Sequence, residues 1–190
     1  HESGRHLLSL IGDILDMSKI EAGKYDLTLE AVSVEEAVRK TARMVQTRVR
    51  EKKITLVCEL DAAAGAHVRA DSRALTQMLL NLLSNAVKFT PEGGQIRIYA
   101  VPGDAQRMVI CIADTGIGIA PEDVERVQLP FEQVEKHAEL ASQGTGLGLP
   151  LVRALVDLHD GRFLIESAPG KGTCVTLDLP RADTAVSASA

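Results

Sequence analysis

The chain has 190 residues, of which 45% are hydrophobic and 25% charged, a composition typical of a soluble globular protein with enough apolar side chains for a core. Its net charge of −5 disfavours a nucleic-acid binder, because such proteins usually present a basic face to phosphates. No apolar run is long enough to cross a bilayer and no signal-peptide pattern opens the chain, so we expect a cytoplasmic domain that would reach a membrane only through segments preceding His1.

The first predicted element is a helix within "RHLLSLIGDILDMSKIEAG", ended by Gly23. Apolar side chains cover most of this helix, while Ser9, Asp13 and Asp16 keep one face polar. One interpretation is a helix that packs on its own domain. A helix with this much apolar surface needs partners on more than one side, however, which favours a bundle or a dimer.

Residues 23–32 are predicted to be a linker with a short strand, "YDLTLE", and residues 33–50 an amphipathic helix. The segments "ITLVCEL" and "HVRA" have the pattern of strands, and Asp71 is a suitable N-cap for a helix over 71–89. The segments "QIRIYAV" and "RMVICIAD" then predict two paired strands.

A loop-rich region covers 115–146, and "LPLVRALVDLHDG" predicts a helix with a proline at its start and Gly161 at its end. The segments "RFLIESA" and "GTCVTLDL" predict a hairpin, and the small polar residues of 181–190 predict a disordered tail. Strands and helices alternate without strict β-α-β order. Residues 33–180 are therefore expected to form an α/β two-layer sandwich with a mixed sheet.

Three cysteines, Cys58, Cys111 and Cys174, are far apart in the sequence and lie among aliphatic or β-branched neighbours. This pattern predicts small core residues in a reducing compartment, because neither a disulfide framework nor the spacing of metal ligands is present.

The segment "NLLSNAVKFT" contains the first candidate site. At helical spacing, Asn81, Asn85 and Lys88 share one stripe with Gln77, opposite a broad apolar face. Such a stripe is usually a solvated surface, but a plain surface favours longer charged side chains over asparagine. Amide oxygens can bind a hard cation and an ammonium can bind phosphate, so the stripe also fits a ligand site.

The segment "CIADTGIGIAPED" places Asp114 at the end of an apolar strand, where an unpaired carboxylate is costly. Gly116 and Gly118 follow it and allow a ligand to approach the backbone closely. A tight turn capped by the aspartate is the alternative, and this motif alone is weak.

The segment "QGTGLGLPLV" has three alternate glycines, Gly144, Gly146 and Gly148, directly before a helix. A flexible linker is the alternative, but the helix that follows at once favours an anion site made of free backbone N–H groups. The spacing matches neither the Rossmann nor the Walker A motif. A cation ligand, a buried acceptor and a phosphate cradle together predict a nucleotide site.

The segments "NLLSNAVKFT", "DTGIG", "PFEQ" and "GTGLGL", in this order, resemble the N, G1, F and G2 boxes of sensor histidine kinases of two-component systems. The catalytic domain of that family has the GHKL, or Bergerat, ATP-binding fold. The opening helix resembles the second helix of the family's dimerisation and phosphotransfer hairpin. The resemblance therefore implies a partial hairpin in residues 1–22 followed by the catalytic domain.

The resemblance also implies residue roles. Asn85 would coordinate the Mg²⁺ that bridges the ATP phosphates, with Asn81 and Lys88 alongside. Asp114 would accept a hydrogen bond from the adenine amino group, with Thr173 as a second contact.

Gly116 and Gly118 would shape the adenine pocket, and residues 131–144 would form a mobile lid. Within the lid, Lys136 and His137 are either γ-phosphate contacts or ordinary solvated side chains. The remaining expected ATP contacts are backbone groups of the glycine-rich segment, namely Gly144, Thr145, Gly146, Leu147 and Gly148.

Hydrolytic relatives in the wider fold family carry a glutamate base one turn before the metal-binding asparagine, whereas this chain has Asn81 there. An amide is no base near neutral pH, so we expect the phosphoryl acceptor to be a side chain. The family's acceptor histidine, followed closely by proline, is absent, and His1 and His6 are expected to be surface residues. No catalytic residue is therefore assigned within the chain.

The expected function is the ATP-binding core of a protein-histidine kinase that cannot autophosphorylate by itself. The expected partners are a second copy, through the hairpin helices, and the receiver domain of a response regulator. A nucleotide-sensing scaffold without an acceptor histidine remains the alternative, and an ATP-hydrolysing machine is disfavoured by Asn81.

Overall fold

The computed structural model describes residues 2–104, 106–132 and 145–182, with side chains from residue 11 onward. None of the helices in these ranges is long and apolar enough to cross a membrane. The principal elements, in chain order, are α1 (Glu2–Glu21), β1 (Glu30–Ser33), α2 (Val34–Glu51), β2 (Thr55–Glu59), β3 (His67–Ala70), α3 (Ser72–Phe89), β4 (Gln95–Pro102), β5 (Arg107–Asp114), α4 (Gly148–Leu158), β6 (Arg162–Ala168) and β7 (Gly172–Pro180).

The main sheet has the strand order β2-β4-β5-β7-β6. Strand β2 runs parallel to β4 and the other neighbours are antiparallel, so the sheet is mixed. A separate two-stranded antiparallel sheet joins β1 to β3. Alternate residues of the main sheet are buried under the helices, as Ile96, Ile98 and Ile110 show. The predicted α/β two-layer sandwich with a mixed sheet is thus confirmed.

Local chemistry explains where the helices begin. Ser33 caps α2 by accepting a hydrogen bond from the Glu36 N–H, and apolar residues of α2 recur on its buried face. Asp71 is the predicted N-cap of α3, and its Oδ1 accepts hydrogen bonds from the N–H groups of Arg73 and Ala74. The N-terminal end of the candidate site helix is therefore fixed by a buried carboxylate.

Helix α1 turns Asp13 and Asp16 toward α3. The amide Nε2 of Gln77 in α3 donates to Asp13 Oδ1 (3.4 Å) and Asp16 Oδ2 (3.1 Å). Burial raises the pKa of Asp13, and the hydrogen bond from Gln77 offsets part of that effect. Three apolar residues of α1, Ile11, Ile14 and Leu15, are exposed on the opposite side of this helix, whereas Ile20 packs against the core.

Two predicted boundaries differ from the structure. The strand predicted for "YDLTLE" is wrong for its first five residues, since β1 begins at Glu30. In that segment the Thr28 N–H bonds a side chain, Asp71 Oδ2, instead of a neighbouring strand. At the C-terminal end, Arg181 forms an isolated antiparallel β-bridge with Val68, and the Ala182 N–H donates to His67 O. The ordered backbone therefore extends at least two residues beyond the predicted end of the domain at residue 180. The rest of the predicted tail lies outside the described residues.

The prediction that the cysteines are core residues holds for Cys111, which is 5% exposed, and for Cys58, whereas Cys174 is only partly buried. Cys58 packs against the helix-covered core, and all three cysteines are free. Cys111 and Cys174 lie on the opposite face of the sheet, where the Tyr99 hydroxyl is 3.8 Å from Cys174 Sγ. The pairing of β5 with β7 brings these two together, which sequence separation alone did not reveal.

Candidate functional site

The polar stripe predicted on α3 is present. Its residues are half-buried, whereas the opposite side of the helix is fully buried in the core. The members of the stripe are Gln77, Asn81, Asn85 and Lys88. Gln77 donates hydrogen bonds to Asp13 and Asp16 of α1, so the other three residues form the candidate site.

The amide nitrogen of Asn81 is buried and has no hydrogen-bond partner among the described residues. A buried polar group left unpaired costs about 1–3 kcal/mol. Such orphaned groups are rare in folded proteins, and a ligand or an ordered water is the partner expected for this one.

The glycine-rich segment meets the amide stripe at the start of α4. A Cβ atom on Gly148 would lie 3.7 Å from Asn85 Nδ2 and 4.0 Å from Asn81 Cγ. The N-cap residue of α4, Leu147, makes no capping hydrogen bond with its side chain, and its own N–H donates to Thr145 Oγ1 (3.2 Å). The first turn of α4 consequently directs free N–H groups and the positive end of its dipole toward this region.

Gly146 holds the glycine-rich segment against the end of the preceding loop. Its φ is +70°, and an added Cβ would lie within 3.0 Å of backbone atoms of Phe131 and Glu132. The Phe131 N–H also donates to Gly146 O (3.1 Å). The two loop ends flanking the undescribed segment are therefore adjacent. Gly144, Lys136 and His137 lie outside the described residues.

Lys88 has the environment of an anion-binding ammonium. It is half-buried over the Phe89 ring, 4.7 Å from its centroid, and burial lowers its pKa. No carboxylate forms an ion pair with it in the part of the chain that the structure describes. A half-buried cation without a counter-ion fits a phosphate ligand.

Asp114 is the last residue of β5, as predicted, and one oxygen of its carboxylate accepts hydrogen bonds. Oδ1 accepts hydrogen bonds from the backbone N–H groups of Gly116 (2.8 Å) and Thr173 (3.3 Å). Burial raises the pKa of Asp114 above its ordinary value, and these two bonds offset part of the rise. Both bonds use Oδ1, so Oδ2 is the oxygen that a ligand can engage.

The loop after Asp114 has no room for side chains at its glycines. A Cβ on Gly116 would lie 2.7 Å from Phe89 O, and one on Gly118, which has φ +71°, would clash with Ala168 O. This loop is therefore packed between the C-terminal end of α3 and the turn that joins β6 to β7.

Ser167 belongs to the site and carries no motif that could have identified it. Its Oγ accepts a hydrogen bond from the Ile119 N–H, donates to Gly172 O, and lies 2.9 Å from Thr173 Oγ1. It thus ties the loop after Asp114 to the strand that carries Thr173. The predicted second adenine contact, Thr173, is brought to Asp114 through its backbone.

The residues at this site fit a nucleotide with a divalent cation held through its phosphates. No cluster of three or more His, Cys, Asp or Glu side chains suitable for a metal is found among the described residues. A hard cation would therefore rely on amide oxygens and phosphate oxygens, a donor set that suits Mg²⁺. The metal role of Asn85 and the individual nucleotide contacts stay predictions.

Comparisons with known proteins identify the family of the chain. Residues 70–183 match the family described as "Histidine kinase-, DNA gyrase B-, and HSP90-like ATPase". Histidine protein kinase DivJ of Caulobacter vibrioides is 48% identical over 95% of this chain, and the "Non-motile and phage-resistance protein" of the same organism is 46% identical over 95%. The chain spans 30% and 22% of the lengths of these two relatives.

A solved structure shares the fold. The crystal structure of full-length ShkA in complex with AMPPNP is similar with a TM-score of 0.84 and 34% identity, over 97% of this chain and 38% of that chain. The family match covers the candidate site from the start of α3 to β7. The chain therefore belongs to the histidine kinase-, DNA gyrase B- and HSP90-like ATPase family, as an ATP-binding catalytic domain of the histidine-kinase type.

Proposed function

We propose that this chain positions Mg-ATP for transfer of the γ-phosphoryl group to a histidine of its parent protein, a sensor histidine kinase. The observation that carries the proposal is the orphaned amide of Asn81, buried beside Gly148 at the start of α4. An unpaired donor next to free helix N–H groups is the arrangement expected where phosphate oxygens bind.

Each part of the nucleotide has an assigned partner in this proposal. Asp114 Oδ2 accepts a hydrogen bond from the adenine amino group, while Oδ1 remains bonded to the backbone. The ammonium of Lys88 and the N–H groups at the start of α4 bind phosphate oxygens. The amide oxygen of Asn85 holds Mg²⁺, which when bound neutralises charge on the phosphates.

The identity of residue 81 favours transfer over hydrolysis. Asn81 occupies the position of a hydrolase's glutamate base, and its amide cannot remove a proton from water near neutral pH. The domain thus contributes binding, alignment and charge neutralisation, and the nucleophile comes from another segment. Most of the lid predicted for residues 131–144 lies outside the described residues.

The proposed partners are a second copy of the chain and the receiver domain of a response regulator. Ile11, Ile14 and Leu15 of α1 are 46%, 44% and 53% exposed, on the side turned away from α3. Apolar side chains exposed at helical spacing support a hairpin and dimer contact there. A receiver aspartate would then take the phosphoryl group. The reaction consumes ATP, which places the domain on the cytoplasmic side.

Transfer of radioactive phosphate from [γ-³²P]ATP tests the proposal. The parent protein, with the helix upstream of α1, is expected to acquire an alkali-stable, acid-labile label typical of phosphohistidine, whereas this chain alone is not. The matched control replaces the upstream acceptor histidine with glutamine. Label on this chain alone, or rapid steady hydrolysis of ATP by it, would contradict the proposal.

A scaffold function remains the second candidate. It would be favoured if the upstream helix of the parent had no histidine followed closely by proline and if the parent bound ATP without acquiring label.

A further inference from the structure

Lys52, the residue that follows α2, reaches the C-terminal end of α3. Its ammonium donates hydrogen bonds to the carbonyl oxygens of Val87 (2.7 Å), Lys88 (2.9 Å) and Thr90 (2.6 Å). An ammonium has three N–H donors, so all of them are used. The last carbonyls of a helix have no partner within the helix and carry the negative end of its dipole, which suits a cation.

The backbone of Lys52 is fixed as well. Its N–H donates to Arg48 O (3.1 Å) and its carbonyl accepts from the Gly93 N–H (3.1 Å). Partial burial of the ammonium lowers the pKa of Lys52. The next residue differs, since Lys53 pairs with Glu92 through side chains that are 75% and 64% exposed.

The turn held by Lys52 carries two parts of the candidate site. One is Lys88, whose own carbonyl is bonded to Lys52. The other is the contact between α3 and the loop after Asp114, in which Phe89 O accepts the Ile117 N–H (3.3 Å) and leaves no space for a Cβ on Gly116. A shift of this turn would therefore move the phosphate-binding ammonium and the adenine loop together.

We propose that Lys52 is a positioning residue for nucleotide binding, acting as a fixed cation that holds the C-terminal turn of α3 in its binding geometry. This inference rests on the proposed nucleotide site. Lys52 touches no nucleotide in this account and acts through Lys88, Phe89 and the loop after Asp114. Its removal leaves three carbonyl oxygens converging on one point, and such a group of oxygens attracts a small organic ammonium ion.

The test compares Lys52→Ala with Lys53→Ala by calorimetric titration of Mg²⁺ and AMPPNP, well below the unfolding temperature of each variant. Lys53→Ala removes the positive charge of the adjacent, exposed residue and is expected to change the dissociation constant less than about twofold. Lys52→Ala is expected to weaken binding about tenfold, since charge-assisted hydrogen bonds that order the site are lost.

Chemical rescue separates positioning from a general loss of stability. Propylammonium supplies the atoms that alanine lacks, so it is expected to restore most of the affinity of Lys52→Ala and to leave Lys53→Ala unchanged. Equal affinities for the two variants, or weakened binding that propylammonium does not restore, would overturn the proposal.

Hydrogen exchange tests the role of Lys52 without any nucleotide, so its result does not depend on the proposed function. It also provides a test if the alanine variant fails to fold. Lys52→Arg keeps the charge, but a planar guanidinium cannot meet three oxygens around one point. Faster exchange of the Ile117 amide in Lys52→Arg than in Lys53→Arg is expected, with or without nucleotide. Unchanged exchange overturns the role of Lys52, whereas absence of AMPPNP binding by the wild-type chain overturns the proposed function.

Discussion

Replacing Asp114 with asparagine changes one atom at the centre of the proposed adenine site. The retained oxygen can still accept hydrogen bonds from the N–H groups of Gly116 and Thr173, which are bonded to Oδ1 in the wild type. The second oxygen becomes an NH₂ group, which is a donor. It would then face the adenine amino group, which is also a donor.

The expected loss of affinity follows from that mismatch. A hydrogen bond to a charged acceptor contributes about 1.5–3 kcal/mol, and the unpaired donors add a desolvation cost. A loss of about 3 kcal/mol corresponds to an increase in the dissociation constant of about 150-fold. The free energy of unfolding should change little, because the hydrogen bonds within the protein are kept.

Calorimetric titration with Mg²⁺ and AMPPNP measures the change, and thermal unfolding checks the fold. Asp104→Asn, at an exposed turn between β4 and β5, is the matched control and is expected to bind as the wild type does. If Asp114→Asn kept the wild-type dissociation constant while remaining folded, the adenine assignment would be wrong.

The pH dependence of stability tests the same carboxylate independently. Burial raises the pKa of Asp114, so the folded state binds more protons than the unfolded state between the unfolded and folded pKa values. Stability contributed by this group therefore falls as the pH rises through that window and stays lowered above it. Asp114→Asn removes this titration, so its stability relative to the wild type should be higher at pH 7 than below the ordinary aspartate pKa.

Three further substitutions probe the rest of the site. Asn85→Ala is expected to abolish most of the Mg²⁺ dependence of AMPPNP binding, and an unaltered Mg²⁺ titration would count against the metal role. Gly148→Ala fits sterically, with the methyl group 3.7 Å from Asn85 Nδ2, so it should keep or slightly raise the melting temperature while weakening nucleotide binding; wild-type affinity would contradict the phosphate assignment. His159→Phe leaves the buried Asp71 N–H without its acceptor, and urea unfolding should show a loss of about 1–3 kcal/mol, whereas unchanged stability would exclude that role.

The local features of the fold were predictable because neighbouring residues determine them. The stripe of Asn81, Asn85 and Lys88 follows from helical spacing alone, and the cap of α3 follows from Asp71 preceding an apolar helix. Asp114 at the end of an apolar strand and the glycines before α4 are likewise local signals. Their combined chemistry predicted one nucleotide site, and the family resemblance supported that prediction.

Contacts between distant segments were not predictable from the sequence. Lys52 bonds carbonyls more than thirty positions away, and nothing in "EKKIT" distinguishes it from Lys53. His159 belongs to no sequence motif, yet it is buried and its Nε2 accepts the Asp71 N–H at the start of α3. Cys111 and Cys174 lie on the face of the sheet away from the helices because of the strand register, which the pattern of a single sequence does not determine.

The side-chain amide of Asn81 provides the most direct test of the central claim, that nucleotide binds between the stripe of α3 and the start of α4. In the structure this Nδ2 group is buried without a partner among the described residues. Titration of the ¹⁵N-labelled chain with Mg²⁺ and AMPPNP is expected to shift the Asn81 NH₂ resonances strongly, together with the Gly148 and Gly116 amides. Saturable binding that leaves these resonances unchanged would contradict the account.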